Sequence, residues 1–173
     1  MRRPPLLLVF LAVLVIAAGE TAGALLFPLR PAVDRYARAR VAANPVAHGL
    51  TGAAEYDEEV RSRAVFAAEA GISFFHTHAA ALGPVILLAG TLVATVVPGA
   101  MARGILHGLL VLGAMFPLGY AVYAVAALEV GRETGVAFSE RYVLTPLGTA
   151  AILGLFGLVV ALGRAARARQ PAR

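Results

Sequence analysis

The fold class is decided by residues 72–97, which read ISFFHTHAAALGPVILLAGTLVATVV and contain no Asp, Glu, Lys or Arg. About twenty apolar residues are enough for a helix to cross the ~30 Å hydrocarbon core of a bilayer. Similar runs lie at about residues 5–27, 104–128 and 142–163. Because a helix satisfies its own backbone hydrogen bonds in lipid, the sequence predicts an all-α, integral membrane four-helix bundle as a single domain over residues 1–173.

The composition fits a protein whose solvent is the bilayer. Hydrophobic residues make up 60% of the chain and charged residues only 14%, and the mean hydropathy is +0.79. The absence of cysteine excludes disulfides, iron–sulfur clusters, thiolate zinc sites and covalently attached c-type haem. The sequence also lacks a phosphate-binding loop, a dinucleotide fingerprint, a nucleophile elbow and an HExxH motif, so no soluble enzyme class is indicated.

The arginines predict the orientation of the spans. All fifteen basic residues are Arg, and those beside span ends without acidic neighbours are Arg2, Arg3, Arg103, Arg164, Arg167, Arg169 and Arg173. Four spans place these arginines on one side, which the positive-inside rule makes the cytoplasm. We therefore expect a multi-pass protein of the cell membrane, the inner membrane of a bacterium, with both termini cytoplasmic. The net charge of +5 then reflects topology, and no nucleic-acid partner is predicted.

The first span has an alternative interpretation as a cleaved signal peptide. Arg2 and Arg3, an apolar run and the small residues Ala22 to Ala24 fit that pattern. Apolar residues continue beyond this point as LLFPL, which favours a retained span. Cleavage would leave three spans with the same orientation.

The segment at residues 28–71 is predicted to be a long, partly helical outer loop. Its first part contains Pro28, Pro31 and Pro45, and proline tends to interrupt a helix. The second part has the pattern of an amphipathic helix that would place Val60, Val65 and Phe66 on the membrane or over the mouth of the bundle. We expect Gly71 to mark the junction with the second span.

Small residues in the spans predict tight helix packing, because they let helix backbones approach in lipid. The candidate packing positions are Gly19 and Gly23 in span one; Ala79, Gly83, Gly90 and Ala94 in span two; Gly104 and Gly108 in span three; and Gly154, Gly157 and Ala161 in span four. We expect Pro117 to kink span three and Pro84 to distort span two.

The ionisable residues inside the spans are Glu20, His76, His78 and His107, and such residues are costly in a membrane. The predicted orientation places Glu20, His76 and His78 near the outer face, and His107 near the inner end of span three. His107 and His78 then differ in depth by roughly 20 Å, so they cannot share a ligand, and His107 is expected to be structural. We expect Tyr120, Tyr123 and His48 to support the outer group.

The two neighbouring histidines cannot chelate one ion from a regular helix. Residues i and i+2 project about 200° apart around the axis. His76 lies on the face of the small residues of span two and is predicted to point into the packing seam. His78 then points elsewhere, unless Pro84 or Gly71 unwinds the local turn. The pattern His76-x-His78, followed by small residues and Leu82-Gly83, is similar over about ten residues to the helix of haem–copper oxidase subunit I that offers one histidine to each of two haems. That family has far more spans, so the resemblance implies only that His76 and His78 are ligands.

These residues predict a haem b or transition-metal site in the outer half, with His76, His78 and Glu20 as ligands. Imidazole is the usual axial ligand of b-type haem and a good ligand for copper, zinc or iron. Such a protein would serve electron transfer or metal handling, beside a larger membrane complex or as a homo-oligomer. Two alternatives stay open. One is a proton relay through Glu20, the histidines and the tyrosines, although the inner half offers only His107 to continue it. The other is an accessory or structural subunit without a cofactor.

Overall fold

The computed structural model describes residues 3–168, and within that range the chain is helical and has no strand. Arg2, Arg169 and Arg173, which entered the orientation argument, lie outside the described residues. The helices are α1 Leu6–Ala43, α2 Pro45–His48, α3 Ala54–Val96, α4 Ala100–Ala114, α5 Leu118–Glu129, α6 Arg132–Ser139 and α7 Thr145–Ala168, with a π-helical turn at Glu140–Leu144 before α7.

The prediction of a four-helix membrane bundle is confirmed. Within residues 3–168, four helical stretches are long and apolar enough to cross a bilayer: α1, α3, the pair α4 and α5, and the run from α6 through α7. The chain is therefore a multi-pass membrane protein in a lipid environment.

The segment at residues 28–71, predicted to be a partly helical loop, is helical over most of its length, because helices α1 and α3 extend well beyond the apolar runs. Helix α1 continues through Pro28 and Pro31 to Ala43, and α3 passes through Gly71 without a break. Both prolines are exposed, so water can satisfy the carbonyl groups that lose their helical partners. We call residues 28–71 the cap.

The cap has its own small core and its own ion pairs. Its buried residues Ala37, Val41, Ala64, Val65 and Ala68 form this core together with Leu128 of α5, so Val65 faces other helices. Arg38 pairs with Asp34 and Glu58, and Arg40 pairs with Glu129 at the end of α5. The hydrogen bonds from these two guanidinium groups hold the pKa values of Glu58 and Glu129 below their usual range. These pairs fasten α1, α3 and α5 together beyond the bilayer.

The turn between α2 and α3 is held by a buried carboxylate. Asp57 is 6% exposed and accepts hydrogen bonds from the backbone N–H groups of Thr51 and Gly52 at 2.8 and 3.0 Å. Gly131 follows α5 with φ of +87°, and a Cβ there would collide with the carbonyl oxygen of Ala47. Only glycine fits that position, since it needs both a positive φ and a close approach.

Small residues form two seams in the bundle. Helices α1 and α3 meet where Gly19 faces Ala79, Gly83 faces Ile16 and Gly90 faces Leu8, and α4 meets α7 where Gly113 faces Ala151. Gly154 and Gly157 likewise receive Leu110 and Leu106, which confirms the small stripe predicted for span four. Gly104 and Gly108 face open space, so their predicted packing role is wrong within this chain.

The third span is divided where the sequence predicted a kink. Helix α4 ends at Ala114 and α5 begins at Leu118, with Pro117 fully buried in the break. Pro84, in contrast, lies inside α3 without interrupting it. The break places Phe116 and Tyr120 on its two sides, and both side chains contact His78.

Candidate functional site

His76 sits against the backbone of α1, where two glycines make room for its ring. Its Nδ1–H donates to the carbonyl oxygen of Gly19 at 3.1 Å, and a Cβ on Gly23 would overlap the imidazole. One carboxylate oxygen of Glu20 lies 4.0 Å from Nδ1. The side chains of His76 and Glu20 are 35% and 55% exposed, so the pair lies at the edge of the seam and not in its core. The predicted placement of His76 in the packing seam is confirmed.

His78 lies on the other side of α3, inside a cluster of aromatic rings. Its Nδ1–H donates to the carbonyl oxygen of Phe74, one turn earlier, at 2.9 Å. The imidazole is tilted by 31° over Tyr120 at 4.6 Å between ring centroids and meets the edge of Phe116 at 5.6 Å. Phe74 completes the cluster at 6.3 Å. The ring of His78 is therefore fixed by packing as well as by a hydrogen bond.

The hydrogen bonds define which nitrogen of each ring is free. A carbonyl oxygen only accepts, so the hydrogen of both His76 and His78 lies on Nδ1. A neutral imidazole then has its lone pair on Nε2. An N–H held by a carbonyl group is the usual support of a metal-ligating histidine, since it fixes the tautomer and the ring orientation.

An apolar groove begins at His78 and runs between α3 and α7. Its volume is about 400 Å³, which lies within the range of small-molecule and cofactor sites. The lining residues are His78, Ala81, Leu82, Val85, Phe116, Gly148, Ala151, Ile152 and Leu155. His78 is the one side chain among them that can ligate a metal.

The two histidines do not converge. His76 contacts α1 and His78 contacts the α4–α5 segment, as the 200° separation predicted. Within residues 3–168, no three side chains of His, Asp or Glu are grouped closely enough to hold a metal ion. A metal site with three or more protein ligands is therefore not assembled by the described part of this chain alone.

The other predicted site residues are divided among different layers. Tyr120 does join His78, whereas Tyr123 packs over Gly71. His48 was expected to fold over the histidine pair, but it lies in the cap and its Nε2–H donates to the carbonyl oxygen of Leu128 at 3.0 Å. Leu128 lies eight residues beyond Tyr120 in α5, or about 12 Å along the helix.

His107 is buried, and its Nε2–H donates to the carbonyl oxygen of Gly90 at 3.1 Å. It thus joins α4 to α3 far from the other histidines, which agrees with the structural role expected for it. Each of the four histidines of the chain donates to a backbone carbonyl group.

Sequence reasoning missed Phe74 and Phe116, which surround His78 together with Tyr120. Both were readable as i, i+4 partners: Phe74 precedes His78 by four residues, and Phe116 precedes Tyr120 by four. The spacing could not show that α5 packs against α3 at this point, because that contact depends on the break at Pro117.

Comparisons with protein-family models, with curated proteins and with solved structures give no match to this chain. Function must therefore be argued from the site itself.

Proposed function

We propose that this protein binds b-type haem in the half of the bundle next to the cap, with His78 as an axial ligand, and serves electron transfer. The observation that carries the proposal is the state of His78. Its Nδ1–H is engaged by Phe74, its ring is packed between Tyr120 and Phe116, and its free Nε2 belongs to a side chain that lines an apolar groove.

The groove suits a flat, apolar group held by one imidazole. Its walls are aliphatic and aromatic, and Gly148 and Ala151 add little bulk to its lining. Haem bound there would exchange single electrons at a potential set by the axial ligand and by burial. Because His78 is the one ligating side chain among the lining residues, this chain would hold the iron from one side.

A transition-metal site at His76 and Glu20 is the weaker form of the same proposal. His76 offers its Nε2 and Glu20 offers a carboxylate, ligands that copper, zinc or iron accepts. The 4.0 Å distance between the two residues runs to Nδ1 of His76, so the Glu20 side chain would have to turn toward Nε2 to share a metal with it. Further donors would have to come from a second copy of the chain or from a larger membrane complex.

The test is an absorption spectrum of the protein purified in mild detergent after expression with added haem precursor, oxidised by air and then reduced by dithionite. We expect a Soret band that shifts on reduction and is lost in His78→Ala. His48→Ala is the matched control, because that histidine also donates to a backbone carbonyl group but lies in the cap. A band that survives in His78→Ala contradicts the assignment of the ligand.

A cofactor-free accessory subunit is the second candidate. It is favoured by the carbonyl hydrogen bond that each histidine makes and by the lack of a three-donor group within residues 3–168. A colourless protein without stoichiometric metal, after supplementation with haem precursor and metals, would support this function and refute the haem proposal.

The orientation proposed for the chain places the cap outside the cytoplasm of a bacterial cell and both termini inside. The arginine distribution supports it. Because the sequence has no cysteine, one cysteine introduced as Thr51→Cys gives a clean reporter in the exposed turn of the cap. We expect a membrane-impermeant maleimide to label it in intact cells; labelling only after lysis would refute this orientation.

A further inference from the structure

A second groove, between α1 and α3 at the base of the cap, combines aromatic side chains with an ion pair. Its volume is about 490 Å³. The side chains that define it are Leu26, Phe27, Arg30, Phe66, Glu69 and Ser73, with Phe74 at its lower end. Phe27 and Phe66 are 86% and 71% exposed, so the groove has large exposed aromatic surfaces beside its ion pair.

The ion pair is bidentate and joins Arg30 to Glu69. Arg30 donates from Nε and Nη2 to the two carboxylate oxygens of Glu69 at 3.1 and 3.2 Å. The carboxylate is largely covered, with 19% of the Glu69 side chain exposed, whereas the Arg30 side chain is 66% exposed. The groove thus presents a positive and a negative group side by side.

The order of these groups along the membrane normal matches that of a phospholipid. Arg30 and Glu69 each lie three residues beyond the apolar runs, or about 4.5 Å into the headgroup layer. Ser73 lies one turn deeper on α3, and Phe74 and Phe27 border the hydrocarbon region. Ser73 lines the groove at that depth, and its hydroxyl group can donate a hydrogen bond to an ester carbonyl group.

We propose that this groove binds one zwitterionic phospholipid of the surrounding bilayer. Its phosphate lies against Arg30, its ammonium group lies between the carboxylate of Glu69 and the face of Phe66, and its acyl chains lie along Phe27 and Phe74. Arginine is a strong phosphate ligand, and aromatic faces attract ammonium groups. An anionic lipid would meet Arg30 but would be repelled by Glu69, so the pair selects a head that carries both charges.

The site differs from the groove proposed for haem, which lies between α3 and α7. Phe74 contacts both sites, and the two proposals are tested with variants at other residues.

The test is native mass spectrometry of the detergent-purified protein, titrated with phosphatidylethanolamine and, separately, with phosphatidylglycerol of the same acyl chains. A charge near the membrane surface changes lipid binding by about fivefold. We expect the wild-type chain to bind phosphatidylethanolamine about fivefold more tightly, Glu69→Gln to lose that preference, and Arg30→Gln to weaken both lipids. Phe66→Leu, an exposed change that leaves the ion pair in place, should weaken only phosphatidylethanolamine.

Glu59→Gln is the matched control, because Glu59 pairs with Arg63 on the same helix but lies outside the groove. Circular dichroism of each variant confirms that it is folded. Equal binding of the two lipids by the wild-type chain, tighter binding of phosphatidylglycerol, or a preference that persists in Glu69→Gln would overturn the proposal.

Discussion

The contact between Gly113 of α4 and Ala151 of α7 gives the sharpest test of the bundle. A Cβ added at Gly113 would lie 2.7 Å from the Cα and 2.8 Å from the Cβ of Ala151. Carbon atoms prefer a separation of about 3.5–4.0 Å, so the two helices would have to move apart by about 1 Å. The obstacle is backbone and a methyl group, and therefore no change of rotamer can relieve it.

Gly108 supplies a control on the same helix, because a Cβ there meets nothing within 4 Å. Both Gly→Ala substitutions add the same methyl group and gain about 0.5–1 kcal/mol of helix stability. Overpacking costs about 1–3 kcal/mol, so Gly113→Ala should be less stable than Gly108→Ala by that amount. For a chain of this length we expect a melting temperature lower by about 2–12 °C.

The assay is thermal unfolding followed by circular dichroism at 222 nm in one detergent, since the chain has no Trp for fluorescence. Equal melting temperatures for the two variants would refute the close approach of α4 and α7. Ala151 also lines the groove beside His78. Equal melting temperatures would therefore also contradict the position of Ala151 in the proposed haem site.

Three further predictions concern the polar groups of the fold. His107→Phe should cost only about 0.5–1.5 kcal/mol in the same assay, since interhelical hydrogen bonds in membranes are weak, and it should leave any haem spectrum unchanged; loss of the spectrum would contradict the structural role of His107. Asp57→Ala removes the acceptor of two backbone N–H groups in the turn, at a cost of about 1–3 kcal/mol, and should speed hydrogen exchange at residues 51–53; unchanged exchange would refute the anchor. The hydrogen bond from Arg40 holds the pKa of Glu129 below its ordinary value of 4.5. The pair therefore stabilises the cap fully above pH 4.5, and this stabilisation decreases as the pH falls through the lowered pKa. Hydrogen exchange in the cap should therefore rise below pH 4.5 in the wild type, and this dependence should be smaller in Arg40→Gln; an identical pH dependence would refute it.

The spans were predictable because the bilayer imposes their length and polarity. Residues 72–97 can satisfy their backbone in lipid only as a helix, whatever they pack against. The helical faces were also predictable: the period of 3.6 residues places His76 with the small residues that meet α1, and His78 on the opposite side.

The cap was not predictable in the same way. Pro28 and Pro31 usually end a helix, and the sequence gives no sign that exposed carbonyl groups would be satisfied by water in the headgroup layer. The extension of α1 is instead stabilised by distant partners, such as Arg40 with Glu129 and Val41 with Leu128. Pairing across nearly ninety residues cannot be read from local pattern.

The candidate site depends both on contacts within one helix and on contacts between helices, and the contacts between helices are the harder ones to predict. The hydrogen bond of His78 to Phe74 is made within a single helix, so it holds wherever α3 is placed. The aromatic contacts are different, because Phe116 lies at the end of α4 and Tyr120 at the start of α5, with Pro117 between them. A straight helix would also bring residues 116 and 120 to one face, but the break sets the angle at which that face meets α3. Pro117 therefore controls the surroundings of His78 without touching a ligand, and the proposed axial ligand depends on a kink that the sequence did predict.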